Sequence, residues 1–297
     1  MNHQLSLFDV PAPVEKAQIG SDVVNVASVP QRSPFRYPGG KTWAIPIVRK
    51  WLRQQQEIPL LVEPFAGGGI VSLTAVAEGL ANHAEMIELD QEVAAVWKTV
   101  TGPESAWLRQ RIVSFELTSD NVKAELERTP TTTKEIAFCT ILKNRVCHGG
   151  IITKGAGMLK NGEGGRGLAS RWYPTTLANR IEAIQLNSHR LTAIEGDAFE
   201  ALARHAQNAS CFFFIDPPYV GAGRRLYTHF DVDHAALLKA AAMLKGRFLL
   251  TYDDDPNIRR LVDKYQLPYT TVPMKTTHHL EKRELLISDN FDWLQTT

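Results

Sequence analysis

The sequence predicts an α/β fold, with helices on both faces of a mixed sheet of seven strands. Three observations predict it. Short apolar runs alternate with helical periodicities from Leu60 onward, the pattern of a parallel sheet with crossover helices. Several of those runs end in an acid or a glycine-rich turn. The last two runs follow one another with no helical stretch between them, which reads as an antiparallel pair at the end of the chain.

The elements follow in order. Residues 1–33 are rich in Pro, Ser, Val and Gln without a sustained period and read as a mobile tail. The first strand is "LLVE" (60–63), followed by "PFAGGG" and a helical stretch from Ile70 to Gly79. "AEMIELD" (84–90) reads as the second strand and "QEVAAVWKTV" as the helix after it. "RLTAIEGD" (190–197), "CFFFID" (211–216) and "GRFLLTYD" (246–253) read as three more strands. "DHAALLKAAAMLKG" and "PNIRRLVDKY" read as helices, and "PYTTVPM" and "RELLIS" as the closing pair. Residues 101–189 break the rhythm. They begin helically, through "SDNVKAELERT" and "KEIAFCTILKNRV", and then turn glycine-rich: eight of the nineteen residues from Gly149 to Gly167 are Gly. That density suits a loop or hairpin closing on a ligand backbone rather than a core. The expected division is therefore a catalytic domain of 34–100 and 190–297 with a second, mainly helical domain, 101–189, inserted in it.

The composition, 44% hydrophobic and 22% charged over 297 residues, is that of a globular protein. The net charge of +1 is uninformative, but its distribution is not. Lys143–Arg180 holds seven basic residues and one acid, a local patch suited to a polyanion. The three cysteines cannot all pair and show no C-x-x-C spacing, which argues against a disulfide framework or a zinc site; no metal is expected. No apolar run reaches transmembrane length, and no signal pattern opens the chain.

Four motifs carry chemistry. In "VEPFAGGGIVSLTA" a strand runs through a glycine-rich turn into a helix, a nucleotide-binding arrangement. The spacing is not G-x-G-x-x-G, and Glu63 at the strand tip would repel a pyrophosphate. The ligand expected is an adenosine carrying a cationic, amino-acid-like tail. Glu88, about 20 residues past the glycines, is placed to bridge ribose hydroxyls; Asp90 competes with it, and either can instead cap a helix. Asp197 can accept from an adenine amino group or cap "AFEALARHA". In "DPPY", Asp216, Pro217, Pro218 and Tyr219 leave a strand at its carboxyl end. The Asp216 carboxylate and the Pro217 carbonyl can take the two N–H donors of an exocyclic amine, freeing its lone pair, while Tyr219 stacks on a base that has left its duplex.

"FRYPGGK" (35–41), "VEPFAGGG", "DPPY" and the late "KRELLISDN", in that order, resemble the Dam-type family of DNA adenine methyltransferases. The likeness runs from Phe35 to Asn290, although residues 101–189 match in placement more than in letters. It implies a Rossmann-like methyltransferase fold, S-adenosylmethionine as cofactor and adenine in double-stranded DNA as methyl acceptor. By resemblance, Tyr37 and Lys41 hold the cofactor tail. Glu63, Phe65, Gly67, Gly69, Glu88, Asp197 and Asp216 line the cofactor site. Asp216, Pro217, Pro218 and Tyr219 act on the base. The insertion becomes a DNA-recognition domain whose Arg36, Lys143, Arg145, Lys154, Lys160, Arg166 and Arg171 contact phosphates or base edges, and Tyr227, with Phe230 nearby, walls the flipped base. The tail segment "QLSLF", Gln4 to Phe8, resembles the pentapeptide that docks bacterial replication and repair proteins on the sliding clamp. A monomer in the bacterial cytoplasm or nucleoid, or one encoded by a phage, is the implied setting, with a cognate restriction endonuclease as a further partner to test.

The mechanism expected is direct methyl transfer without a covalent enzyme intermediate. None of the three cysteines follows a proline, which argues against carbon-5 cytosine methylation. The rivals are methylation of the cytosine amino group, disfavoured by Asp rather than Ser before the prolines; RNA as substrate; and a catalytically dead, clamp-associated DNA-binding module.

Overall fold

The computed structural model describes residues 29–37, 39–153, 156–160, 162, 165–219, 229, 231–275 and 281–294. The Gln4–Phe8 segment, Lys154, Tyr227 and Phe230 lie outside them.

The strands are β1 (Leu60–Glu63), β2 (His83–Glu88), β3 (Leu191–Glu195), β4 (Cys211–Ile215), β5 (Arg247–Asp253), β6 (Tyr269–Lys275) and β7 (Glu281–Ser288). They form one sheet in the order β3-β2-β1-β4-β5-β7-β6. β3, β2, β1, β4 and β5 are parallel, and β7 runs antiparallel between β5 and β6. The seven expected strands are all present, each within two residues of its expected start.

The helices are α1 (Ile45–Leu52), α2 (Ile70–Ala77), α3 (Gln91–Thr101), α4 (Ser105–Ser114), α5 (Ser119–Glu127), α6 (Thr133–Val146), α7 (Pro174–Gln185), α8 (Ala198–His205), α9 (His234–Ala242) and α10 (Pro256–Lys264). Both sheet faces are covered, which explains the unbroken "CFFFI" run. Alternate residues of β4 point to opposite faces. Phe212 and Phe214 join the core with Trp51, Leu61 and Trp97, while Phe213 and Ile215 join Val62, Leu250 and Tyr252. Each such buried side chain contributes roughly 1.5–3 kcal/mol.

The inserted region 101–189 is helical, as expected, and it is fused to the sheet. Leu108, Ile112, Val122, Phe138, Ile141, Leu177 and Ile181 belong to the same core cluster as Leu61 and Phe212, and α6 packs along α3. α6 starts at a capping box, where Thr132 and Glu135 satisfy each other's backbone. After α6 the chain closes a loop through an antiparallel bridge, Cys147 to Met158. The His148 N–H donates to the Gly157 carbonyl at 3.0 Å and the Leu159 N–H to the Val146 carbonyl at 2.8 Å. Among the described residues no helix is long and apolar enough to cross a membrane, and the three cysteines are buried free thiols.

Candidate active site

The parallel strands bring their carboxyl ends to one edge, the ligand edge of an open α/β sheet. β1 ends at Glu63 and runs through Pro64–Gly69 into α2. The turn is pinned from two sides. The Ala66 N–H donates to the Ile87 carbonyl at 2.9 Å, and the Trp97 indole N–H donates to the Gly67 carbonyl at 2.9 Å. Gly67 needs to be glycine: its φ is +45°, and a Cβ there would stand 2.7 Å from Cε1 of Tyr37. Tyr37 therefore lies against the turn.

Four carboxylates stand around this turn: Glu63, Glu88, Asp90 and Asp197. Glu63 is 3% exposed and accepts the Ser72 N–H at 3.0 Å. Burial, reinforced by the charges of Asp216 and Glu88, pushes it up to about 8. Glu88 accepts the Gly67 N–H at 2.8 Å and the Asp90 N–H at 2.9 Å, and burial raises it to about 7. Glu88 thus braces the glycine turn directly. Asp90 caps α3 through the Glu92 and Val93 N–H groups, and Asp197 caps α8 through those of Phe199 and Glu200. Both also line the cavity, so capping and exposure to ligand coexist at these positions.

Asp216 follows β4. Its Oδ1 accepts the Thr251 hydroxyl at 2.7 Å, and its Oδ2 lies 2.7 Å from the Lys41 ammonium. Lys41 is 7% exposed, also donates to the Gly39 carbonyl at 2.9 Å, and stands 4.9 Å from the centre of the Tyr219 ring. The Tyr219 hydroxyl donates to Glu284 Oε2 at 2.7 Å, and burial, with the Asp216 and Glu284 charges, raises its pKa well above the usual range. Its ring also packs beside Tyr252, centroids 5.9 Å apart. The expected stacking platform is thus already in contact with Lys41.

A cavity of about 700 Å³ joins these groups. Tyr37, Lys41, Glu63, Phe65, Gly67, Gly69, Glu88, Asp197, Asp216 and Pro218 all line it, so the structure brings together every residue expected to meet the cofactor. The far end is lined by Arg36, Asn144, Arg145, Gly149, Gly150 and Arg180. The expected nucleic-acid contacts divide. Arg36 and Arg145 stand on the cavity wall, and Arg145 is buried rather than displayed on a hairpin, donating to the Pro34 carbonyl. Lys143 pairs with Glu92 at 2.7 Å beside a neighbouring groove. Arg166 donates to the Tyr173 hydroxyl at 3.0 Å, Arg171 donates to the Cys147 carbonyl at 3.4 Å, and Lys160 is exposed.

Sequence reasoning did not single out Thr251, Glu284, Trp97, Asn144 or Arg180. Thr251 had a signal, as the polar interruption of "FLLTYD"; Arg180, inside an ordinary helical pattern, had none.

No curated protein matches the chain. A solved structure of PH1948 from Pyrococcus horikoshii, provisionally named an RNA methyltransferase, is similar at 11% identity and a TM-score of 0.39, over 86% of this chain and 84% of that one. The family model for D12 class N6 adenine-specific DNA methyltransferases matches residues 37–276. That span begins at the tyrosine packed on the glycine turn and takes in all four residues of Asp216–Tyr219, and by it the chain belongs to the D12 class N6 adenine-specific DNA methyltransferase family.

Proposed function

We propose that this adenine-specific DNA methyltransferase draws its methyl group from S-adenosylmethionine bound over the glycine turn, and modifies an adenine extruded from duplex DNA toward Asp216. The observation that carries the reading is Asp216 itself: a carboxylate at the carboxyl end of β4, braced on one oxygen and facing the cavity that the glycine turn also lines. The acids fit the donor. Burial raises both Glu63 and Glu88, and neighbouring carboxylates add to it, Asp216 and Glu88 at Glu63 and Asp90 at Glu88. A ligand bearing sulfonium and ammonium groups relieves that repulsion, whereas a pyrophosphate would worsen it. When bound, the cofactor supplies an electrophilic methyl group.

The chain's own residues do the rest. Tyr37 and the glycine turn would hold the cofactor, with Glu88 to take its ribose hydroxyls and Asp197 its adenine amino group. Asp216 Oδ2 and the Pro217 carbonyl accept the two N–H groups of the target amine, which turns its lone pair toward the methyl. Pro217 and Pro218 fix the backbone that aims that carbonyl. Lys41 occupies Asp216 Oδ2 at 2.7 Å. Entry of the amine therefore requires Lys41 to exchange partners, and the carboxylate of the cofactor's amino-acid tail is the partner this reading gives it. The basic loop after α6 meets the duplex, and the Gln4–Phe8 segment serves as a clamp-docking peptide. Neither a cognate endonuclease nor an oligomeric assembly is needed for the transfer.

Sequencing modified bases in DNA from cells expressing the protein tests the reading. N6-methyladenine at one recurring motif is expected. N4-methylcytosine, or modification confined to RNA, would overturn it. For the tail, deletion of the first ten residues is expected to abolish binding to immobilised sliding clamp; unchanged binding would end that part.

A further inference from the structure

We propose that the arginine end of the cavity, built from Arg145, Arg180 and Arg36, is a seat for a single phosphodiester of the target strand beside the extruded adenosine. The inference rests on the reading above.

Arg145, in the last turn of α6, is 4% exposed and stands on the cavity wall. A buried guanidinium ordinarily pairs with a carboxylate. Arg145 instead donates to the neutral Pro34 carbonyl, and its Nε–H is buried with no partner among the described residues. Burial and the nearby Arg180, Arg36 and Arg171 together lower it to about 9. Arg180, from α7, likewise donates to a neutral carbonyl, that of Ser33, at 3.1 Å, and burial lowers its pKa. Both side chains hold the 33–36 segment in place, but a pair of carbonyls cannot neutralise the buried charge of Arg145 and the half-buried one of Arg180. An anion in the cavity can, through its field as well as through the exposed N–H groups.

The surroundings are assembled for close approach. Asn144 clamps the backbone on both sides. It accepts the Arg36 N–H at 2.8 Å and donates to the Arg36 carbonyl at 3.1 Å and the Gly150 carbonyl at 2.7 Å. Gly150, at φ +75°, lies so near that a Cβ would stand 2.4 Å from the Arg36 carbonyl oxygen. The cavity's other end carries Glu63, Glu88 and Asp216. The cavity thus carries acids on its sheet-edge wall and arginines on its α6–α7 wall. A nucleotide entering it is oriented by that polarity, with its amine toward Asp216 and its phosphate toward the arginines. Another anion could compete for the seat, the carboxylate of the cofactor tail, and the experiment separates the two.

The test uses the full chain, a duplex containing its mapped methylation motif, and single methylphosphonate replacements, each removing one phosphate charge. One replacement next to the target adenosine is expected to weaken wild-type binding about tenfold and to leave Arg180→Gln binding nearly unchanged. On the unmodified duplex, Arg180→Gln is expected to lower the slope of log K against log salt by about one. Arg180→Lys, which keeps the charge, is expected to retain that slope, and thermal melting of each variant checks that it is folded. If no phosphate position couples to Arg180, the seat does not exist. If Arg180→Gln instead weakens S-adenosylmethionine binding measured by calorimetry, the anion is the cofactor carboxylate and the proposal falls. Either failure leaves N6-methyladenine formation by the wild type intact, whereas loss of that product would strike the functional reading itself.

Discussion

The two ends of the cavity solve opposite electrostatic problems. At the sheet edge, Glu63, Glu88 and Asp216 crowd negative charge where water is scarce, and the structure answers with protonation and with Lys41. At the α6–α7 end, Arg145 and Arg180 crowd positive charge, and a guanidinium does not deprotonate readily. One end can relax by taking up a proton; the other waits for an anion. On the proposed reading, that difference puts a cationic methyl donor over the acids and a polyanion over the arginines.

The largest expected effect isolates the acidic end. Asp216→Ala is expected to lower the single-turnover methylation rate about 10³-fold while DNA affinity changes little. A variant that kept the full rate would remove Asp216 from the mechanism and dissolve the contrast. Thr251→Val asks whether Asp216 must be held. Loss of one hydrogen bond to the carboxylate is expected to lower kcat about tenfold, with KM for DNA unchanged and Thr251→Ser restoring the rate. An equal change in KM would mean that Thr251 shapes the binding site and does not orient the carboxylate.

The smallest effect is read from pH. Glu63 and Glu88 titrate near 8 and 7 when folded, against 4.5 for a free side chain. Between those values the folded protein holds protons that the unfolded chain has released, so stability falls as pH rises from about 4.5 to 8. Melting temperatures of the protein without cofactor are expected to decline across that range, and Glu63→Gln to flatten the decline. No decline would mean that the acids are already neutralised by other groups. Arg145 contributes nothing in this window, which lies below its own titration near 9.

Much of the acidic end was legible in the sequence because each element there is local. A strand, a turn and the acid at the strand's tip occupy a few consecutive residues, as in "LLVEPFAGGG" and "CFFFIDPPY". The seven strands were equally legible, since periodicity is a property of neighbours. α1, α4 and α7 were not marked out in advance, and their boundaries had to come from packing against α2, α3 and α6. The tyrosine of the DPPY motif shows the limit from the other side. Its residue type suggested a platform for a base, while the fold sets its ring beside Lys41 and Tyr252 and its hydroxyl on Glu284.

The sequence by itself determined the strand-and-helix alternation, the glycine turn and the acids beside it, because chain neighbours alone decide periodicity, turn chemistry and strand tips. Only the tertiary structure decided that Thr251 braces Asp216, that Lys41 fills its second oxygen, and that Arg36, Arg145 and Arg180 meet at one end of the same cavity. Those partners lie tens to more than a hundred residues apart, and a charge's worth depends on burial and on its neighbours in space, which no stretch of sequence contains.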